Sequence, residues 1–348
     1  MSAAAIERAG AAVRSRGAAR EVLVILDGAS EPSRAGAPTS LERAATPALD
    51  AVCRAGGVLT RLRTVAPWLA PGSESAIPAL LGWVPPSAVD RGAVEAEAWE
   101  VAVDRASGER AWRVDVRAGD GSRADAGAVA RAAGRLAAAL PHHRVAPLAG
   151  HRLLVVGPAP LPSLPAPAGP ALHVWPEGVV PPRLLDGRTV VVAARGAAAG
   201  IGRLMGARVV VPAGTTGRLG SDLAAKARAA VAALGDGAAR VVVHVGGPDE
   251  AAHELDAAAK VAAIEAADRD VIGPLADAVR SAGATLRVCP DHGCDPRDGR
   301  HGAEPVPCLG WRADGDAPRG GAPGRLTERA VGGLPATELP AATVGAAA

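Results

Sequence analysis

Six short runs of consecutive aliphatic, mostly β-branched residues constrain this chain more than any other feature. They are Glu21–Leu26 (EVLVIL), Arg152–Val156 (RLLVV), Arg188–Ala193 (RTVVVA), Arg208–Val211 (RVVV), Arg240–Val245 (RVVVHV) and Thr285–Cys289 (TLRVC). A half-solvated strand alternates apolar and polar residues, whereas an unbroken apolar run suits a strand covered on both faces, as in a parallel sheet. Helical patterns fall between the runs, at Thr46–Ala55, Ser221–Leu234 and most of Glu250–Ser281. Ser221 is expected as an N-cap, with Asp222 in the first turn favouring the helix dipole. This alternation predicts an α/β fold, a mostly parallel sheet flanked by helices.

The stretch from about Pro85 to Asp186 reads differently, with Pro- and Gly-rich pieces (PLPSLPAPAGPA, VVPPRLL). A meander is expected near Trp99–Arg117 and a helix over Ala126–Leu140. The expected organisation is a tail over 1–20, a core built from 21–85 and 187–340, and a smaller inserted α+β cap over 86–186. The forty residues after Trp311 are Gly/Pro/Ala-rich and are expected to be irregular.

Bulk properties exclude several classes. A net charge of +2 and an aromatic share of 2% argue against a nucleic-acid footprint, which needs basic patches and stacking platforms. No apolar run reaches the ~18–20 residues of a membrane span. The N-terminus, MSAAAIERAGAAVRSRGAAR, carries Arg where a signal peptide would be apolar. Cys53, Cys289, Cys294 and Cys308 form no CxxC pair and no disulfide framework, so a soluble cytoplasmic protein with reduced thiols is expected. Composition says nothing about oligomeric state.

The chemistry gathers at strand ends. EVLVIL runs into Asp27, RVVVHV through Gly246-Gly247-Pro248 into Asp249, and TLRVC through Pro290 into Asp291-His292. Ligands of open α/β sheets bind beyond the carboxyl ends of the strands, so three aspartates delivered there can share one site. Asp249 and His253 are four apart and share a helix face. His301 lies nine residues beyond His292. Any one of these residues alone reads as an ordinary surface or loop group; the set reads as two clusters of carboxylate and imidazole. Such clusters suit Mn²⁺ or Zn²⁺ better than Ca²⁺, and a metal pair can hold both oxygens of a phosphoryl transfer. Ser73, in APGSESAIPALLGW, falls near a helix N-terminus, a place that favours phosphate. It is a simple N-cap or, with metal help, a nucleophile.

These segments resemble the archaeal-type cofactor-independent phosphoglycerate mutases of the alkaline phosphatase superfamily. The matching pieces are VILDGASEPSRAGAPTSLERAATPALDAVCRAG, APGSESAIPALLGW, GIGRLMGARVVVPAGTTGRLGSDLAAKARAAVAAL, VVVHVGGPDEAAHELDAAAKVAAIEAAD and PDHGCDPRDGRHGAEPVP, in the family's order. The resemblance implies an alkaline-phosphatase-like sheet. It implies Asp27, Ser73, Asp291 and His292 around one divalent metal, with Ser73 phosphorylated during the reaction. It implies Asp249, His253 and His301 around a second. Mn²⁺ is the foremost expectation, with Zn²⁺ and Mg²⁺ as alternatives. It also implies a small phosphorylated acid as substrate, 3-phosphoglycerate or a related phosphorylated or phosphonate acid, held by Arg91, Arg113, Arg152 and Arg203.

The chain departs from the family pattern where lysines are usual, at Ala199 and Gly246, and where His is common, at Ile77. Missing cations weaken stabilisation of developing charge. Two further readings therefore accompany the mutase. One is a metal-dependent phosphatase or phosphodiesterase that hydrolyses its phosphoserine; the other is a non-catalytic metal-binding relative. The bland expectations are a buried Cys289, a loop thiol at Cys294, an Asp222–Lys226 helix pair, and Glu250 as a first-turn carboxylate or a partner of His253.

Overall fold

A computed structural model of the chain describes residues 20–164, 171–313 and 324–339. Residues 1–19 of the expected tail over 1–20 lie outside the described residues. The main sheet has eight strands in the order β14-β2-β13-β10-β1-β9-β7-β8. Its centre is β1 (Glu21–Leu26), paired in parallel with β10 (Thr285–Cys289) on one side and β9 (Arg240–Val245) on the other. β7 (Thr189–Val192) and β8 (Arg208–Val210) extend the parallel half beyond β9. Val22 to Leu26 are all buried, as a strand covered on both faces requires. One face packs on Leu49, Ile264, Ile272 and Leu275, and the other on Ile77, Val94, Ala199 and Ile201. The α/β reading holds, with a mostly parallel sheet between helices.

All six expected runs are strands in their expected order, five of them in this sheet and the run at Arg152–Val156 in a second one. The other half of the sheet corrects the sequence reading. β2 (Val58–Arg63) pairs antiparallel with β13 (Val306–Arg312), which pairs antiparallel with β10. β14 (Ala336–Glu338) runs parallel to β2, and a short helix covers Glu328–Val331, so the chain beyond Trp311 is not irregular throughout.

Between the core segments, β4 (Arg144–Pro147), β5 (Arg152–Pro158), β3 (Glu109–Arg117) and β6 (Ala171–Val174) form a separate four-stranded antiparallel sheet. The Ala126–Ala139 helix covers one face through Val129, Ala132 and Leu136. No meander spans Trp99–Arg117. A helix ends at Trp99, one 3₁₀ turn covers Arg105–Ser107, and β3 follows as a single nine-residue strand.

Helix starts obey local chemistry, with one correction. Asp222, not Ser221, caps the Leu223–Gly235 helix by accepting from Ala225 N–H, and Ser221 Oγ instead accepts from Thr216 N–H. The stretch Glu250–Ser281 is several pieces: helices at Gly247–His253, Ala257–Ala267 and Gly273–Ala282, with a π turn over Asp268–Ile272. Pro47 opens the Pro47–Arg54 helix at a position where its missing N–H is harmless. Its first free N–H groups, on Ala48 and Leu49, donate to the fully buried Asp268 carboxylate at 2.9 and 2.8 Å.

Candidate metal centre

β10, β1 and β9 are adjacent and parallel, so their carboxyl ends open on one edge of the sheet. Asp27 follows β1 directly, Asp291-His292 follow β10 after Pro290, and Asp249 stands in the first turn of the helix after β9. The chain turns sharply after Asp27 because Gly28 has φ +60°, and a Cβ there would meet Asp249 Oδ1 at 2.5 Å. Only glycine satisfies both the backbone and the space. Gly28 N–H donates to Asp291 Oδ1 at 3.1 Å, as does His292 N–H at 2.9 Å. Asp291 is thereby fixed by the loop that presents Asp27.

Ser73 opens the Ser73–Leu80 helix after the extended Gly72. Its hydroxyl donates to Asp27 Oδ1 at 3.1 Å and lies 3.4 Å from His292 Nε2. His292 Nε2 is also 3.3 Å from Asp27 Oδ1 and 3.6 Å from Asp291 Oδ2. His292 Nδ1 lies 3.1 Å from Gly293 O. A carbonyl can only accept, so Nδ1 carries a proton toward it and Nε2 faces the cluster. A backbone acceptor behind the ring is the usual support of a metal-ligating imidazole.

The second cluster is adjacent; the His292 and His301 rings stand 4.2 Å apart between centroids. His253 Nε2 is 3.3 Å from Asp249 Oδ2 one helical turn earlier, and His301 Nε2 is 3.2 Å from Asp249 Oδ1. The two imidazole Nε2 atoms approach to 3.0 Å. His301 Nδ1 meets Pro71 O at 3.2 Å, which ties this cluster to the turn before Ser73. The seven residues expected to act together, Asp27, Ser73, Asp249, His253, Asp291, His292 and His301, are thus brought together.

Two more donors join them. His244, in β9, places Nε2 3.2 Å from Asp27 Oδ2, and Asp27, His244 and Asp291 offer ligand atoms within 4.8 Å of one another. Cys294 does the same with Asp249, His253 and His301. The sequence signal for His244 was an imidazole inside an otherwise aliphatic strand, RVVVHV. Cys294 carried only a weak signal, its place beside Asp291-His292, from which a thiol could in principle bind metal; its strand position and full burial correct the expectation of a loop thiol.

Three buried carboxylates face one another here, and their electrostatics demand cations. Burial and Asp27 push Asp291 up to about 6. Burial and Asp249 also oppose ionisation of Asp27, yet His244 and His292 outweigh them and hold it low. Burial likewise opposes ionisation of Asp249, but His253 and His301 hold it well below the usual carboxylate range. Burial lowers His292, but Asp291 and Asp27 drive it far above the ordinary histidine value. Asp291 Oδ2 is buried with no hydrogen-bond partner among the described residues, and Asp249 Oδ1 and His244 Nε2 meet only members of these two clusters. Buried oxygens and lone pairs converging from carboxylate, imidazole and thiol groups are a donor set that fits divalent cations.

Basic groups from the segment between the core halves pair with carboxylates beside the site residues. Arg91 pairs with Glu74, next to Ser73, at 2.6 Å, and Arg123 pairs with Glu250, next to Asp249, at 2.8 Å. Glu250 is therefore paired with Arg123 across the two parts of the chain. Arg113 is clamped by Asp115 at 2.8 Å and Glu95 at 3.1 Å. Among the described residues Arg152 pairs with Glu250 alone, at 4.0 Å, and burial followed by repulsion from Arg113 lowers its pKa. Arg203 is not brought to this edge. It donates to the carbonyls of Glu97 and Ala98 and pairs with Glu100 at 2.6 Å, closing the C-terminus of the Arg91–Trp99 helix. Lys226 is no surface helix partner of Asp222: it is fully buried and donates to His244 O at 2.6 Å, while Asp222 faces Arg228.

The departures at Ala199 and Gly246 also acquire a physical setting. Ala199 is buried in the apolar cluster with Ile25, Ile77 and Val94, and a Cβ on the next residue, Gly200, would lie 2.0 Å from Val94 O. A Cβ on Gly246 would meet Gly217 O at 2.5 Å. At Gly246 close backbone approach occupies the space of any side chain, and at Ala199 the surroundings are apolar.

Comparison with known proteins agrees with this architecture. The chain is 38% identical over 124 residues to a 2,3-bisphosphoglycerate-independent phosphoglycerate mutase of Methanopyrus kandleri, covering 36% of this chain and 29% of that protein. It is 35% identical over 143 residues to the enzyme of that name from Methanothrix thermoacetophila, covering 39% and 36%. The chain thus spans about a third of the length of these curated relatives. Among solved structures, the PH0037 protein from Pyrococcus horikoshii superposes with a TM-score of 0.74 at 22% identity, covering 90% of this chain and 91% of that one. The cofactor-independent phosphoglycerate mutase from Thermoplasma acidophilum superposes with a TM-score of 0.51 at 16% identity, covering 92% and 97%. At those identities the two structures speak for the shared fold. The family model of the metalloenzyme superfamily matches residues 19–334, nearly the whole described chain with its strand-end donor clusters, and the chain belongs to that superfamily.

Proposed function

We propose that this chain is a phosphoglycerate mutase-like metalloenzyme that moves a phosphoryl group through Ser73. The observation that carries the reading is the hydroxyl itself. Ser73 Oγ stands at a helix N-terminus, 3.1 Å from Asp27 and 3.4 Å from His292, beside two donor clusters. A helix N-terminus favours the anion that would be transferred. In this reading Asp27, Asp291, His292 and Ser73 hold one divalent cation and Asp249, His253 and His301 a second. When bound, the cations supply Lewis acidity toward phosphoryl oxygens and lower the pKa of the serine hydroxyl.

The chain's own groups do the rest. Asp27 accepts the Ser73 proton in the resting hydrogen bond and aims the hydroxyl. The segment 86–186 acts as a cap, docked through the Glu74–Arg91 and Glu250–Arg123 pairs on either side of the site. Arg152, the least compensated of the four arginines, is placed to take the substrate carboxylate. Arg91 and Arg113, already paired with carboxylates, support it, and Arg203, which closes a helix end, has no part in this.

A phosphatase that hydrolyses the phosphoserine is the second reading, and one observation favours it. Ala199 and Gly246 place no cation where the resembled family has lysines, so the acceptor hydroxyl has less help in competing with water. Supplying 3-phosphoglycerate with Mn²⁺ or Zn²⁺ and following 2-phosphoglycerate against inorganic phosphate separates the two. Retained phosphate with 2-phosphoglycerate as product is expected. Inorganic phosphate alone makes the chain a phosphatase, and absence of a Ser73-linked phosphate under acid quench removes the nucleophile from both readings.

A further inference from the structure

Four donors, not three, surround the Asp249 side of the site, and the fourth is a thiol. Asp249 and His253 project from one turn of the Gly247–His253 helix. β11 (Gly293–Cys294) and β12 (His301–Gly302) form a two-stranded antiparallel ribbon in which Cys294 is the direct cross-strand partner of His301. Residues directly opposite on such a ribbon carry their side chains on one face. The ribbon therefore presents Cys294 and His301 together to the helix turn that presents Asp249 and His253, and their ligand atoms lie within 4.8 Å of one another.

The thiol is built into place. Cys294 is fully buried. Its N–H donates to Ser30 O at 2.8 Å. Its carbonyl accepts at 2.6 Å from Lys260 Nζ, which also reaches Ser30 O and Glu31. Asp249 Oδ1 is buried in the same group of donors, 3.2 Å from His301 Nε2.

We infer that Cys294 is a metal ligand, completing an Asp249–His253–Cys294–His301 site that selects Zn²⁺ over Mn²⁺ and Mg²⁺. The inference rests on reading this edge as a metal centre. Thiolate and imidazole are soft-to-borderline donors that favour zinc, whereas manganese and magnesium favour carboxylate and water. Two donors from a helix turn and two from a ribbon also match the four-coordinate tetrahedral preference of zinc. As the metal–sulfur bond forms, the thiol proton leaves to solvent. Asp27, Asp291, His292 and Ser73 make up the neighbouring cluster. The manganese expectation then narrows to that neighbouring cluster at most.

Cobalt(II) titration of the metal-stripped full chain tests this without relying on activity. A thiolate on Co²⁺ gives a near-ultraviolet charge-transfer band in addition to the visible ligand-field bands. The wild-type protein is expected to show both. In Cys294→Ser the charge-transfer band disappears while the visible bands persist, which also shows that the variant is folded and still binds through Asp249, His253 and His301. Competition titrations are expected to show Zn²⁺ affinity falling at least about 100-fold in that variant, the upper end of what loss of a mere supporting partner causes. Mn²⁺ affinity should change far less. Visible bands without a charge-transfer band in the wild type, or an unchanged band in Cys294→Ser, overturn the thiolate ligand and leave the metal centre standing. Failure of the wild-type chain to bind Co²⁺, Zn²⁺ or Mn²⁺ overturns the metal centre itself, and this inference with it.

Discussion

At the scale of single residues the site is held by geometry that tolerates little. Gly28 combines a left-handed backbone with a Cβ position 2.5 Å from Asp249 Oδ1. Gly28→Ala is expected to lose about 1–2 kcal/mol of stability from the backbone conformation alone, read as a lower urea midpoint, and to weaken metal binding further by displacing Asp249. Ser73→Ala is the converse case. Its hydroxyl makes polar contacts with Asp27 and His292, but it fills no core position. Phosphotransfer should fall by several orders of magnitude, as for other nucleophile deletions, while the thermal midpoint and zinc content stay near wild type. A Ser73→Ala protein that still turns over would remove the serine from the mechanism.

At the scale of elements, helix ends and strand edges explain where expectation and structure parted. The Pro47–Arg54 helix lacks an N-cap side chain of its own and borrows Asp268, more than two hundred residues away. Asp268→Ala should cost about 1–3 kcal/mol by leaving two N–H groups without an acceptor, measurable as a shifted denaturation midpoint with unchanged metal stoichiometry. No local reading could have found that cap. The parallel strands were legible because burial on both faces writes an unbroken aliphatic run. β2 and β13 were not. β2 is half-exposed and carries Arg61 and Arg63, and β13 contains Pro307 and Gly310, residues that usually end strands. Their pairing closes across more than two hundred residues of chain.

At the scale of the whole molecule, charge burial is the dominant design feature. The chain has only two lysines, Lys226 and Lys260, and both are fully buried with their ammonium groups on backbone carbonyls around the site. Desolvation lowers Lys226 from 10.5 to about 8, with Asp27 opposing the shift. Between those values the unfolded chain holds a proton that the folded chain has released, so stability rises with pH across that window. Lys226→Met should flatten the rise between about pH 8 and 10.5 in urea-midpoint measurements. A steeper rise in the variant would contradict the assignment. Removing divalent metal acts on the same balance: with Asp27, Asp249 and Asp291 left facing one another, chelation should lower the thermal midpoint, and zinc should restore it. An unchanged midpoint on chelation would count against a metal centre.

The division between sequence and tertiary structure follows from the range of the forces. The amino-acid sequence by itself determined the α/β class, the six principal strands and the delivery of Asp27, Asp249 and Asp291 to strand ends, because aliphatic periodicity and strand termination are local signals. It also carried Ser73, His253, His292 and His301, through a long collinear resemblance rather than through any one residue. Tertiary structure alone decided the donors and the exclusions. His244 joins Asp27 because β9 pairs with β1 in one register, and Cys294 faces His301 because a two-residue ribbon closes across them. Arg203 leaves the site because it closes a helix end. Gly246 stays small because Gly217 O lies 2.5 Å from where its Cβ would be. Each outcome depends on ångström-scale distances between residues far apart in the chain, and those are set by how the elements pack.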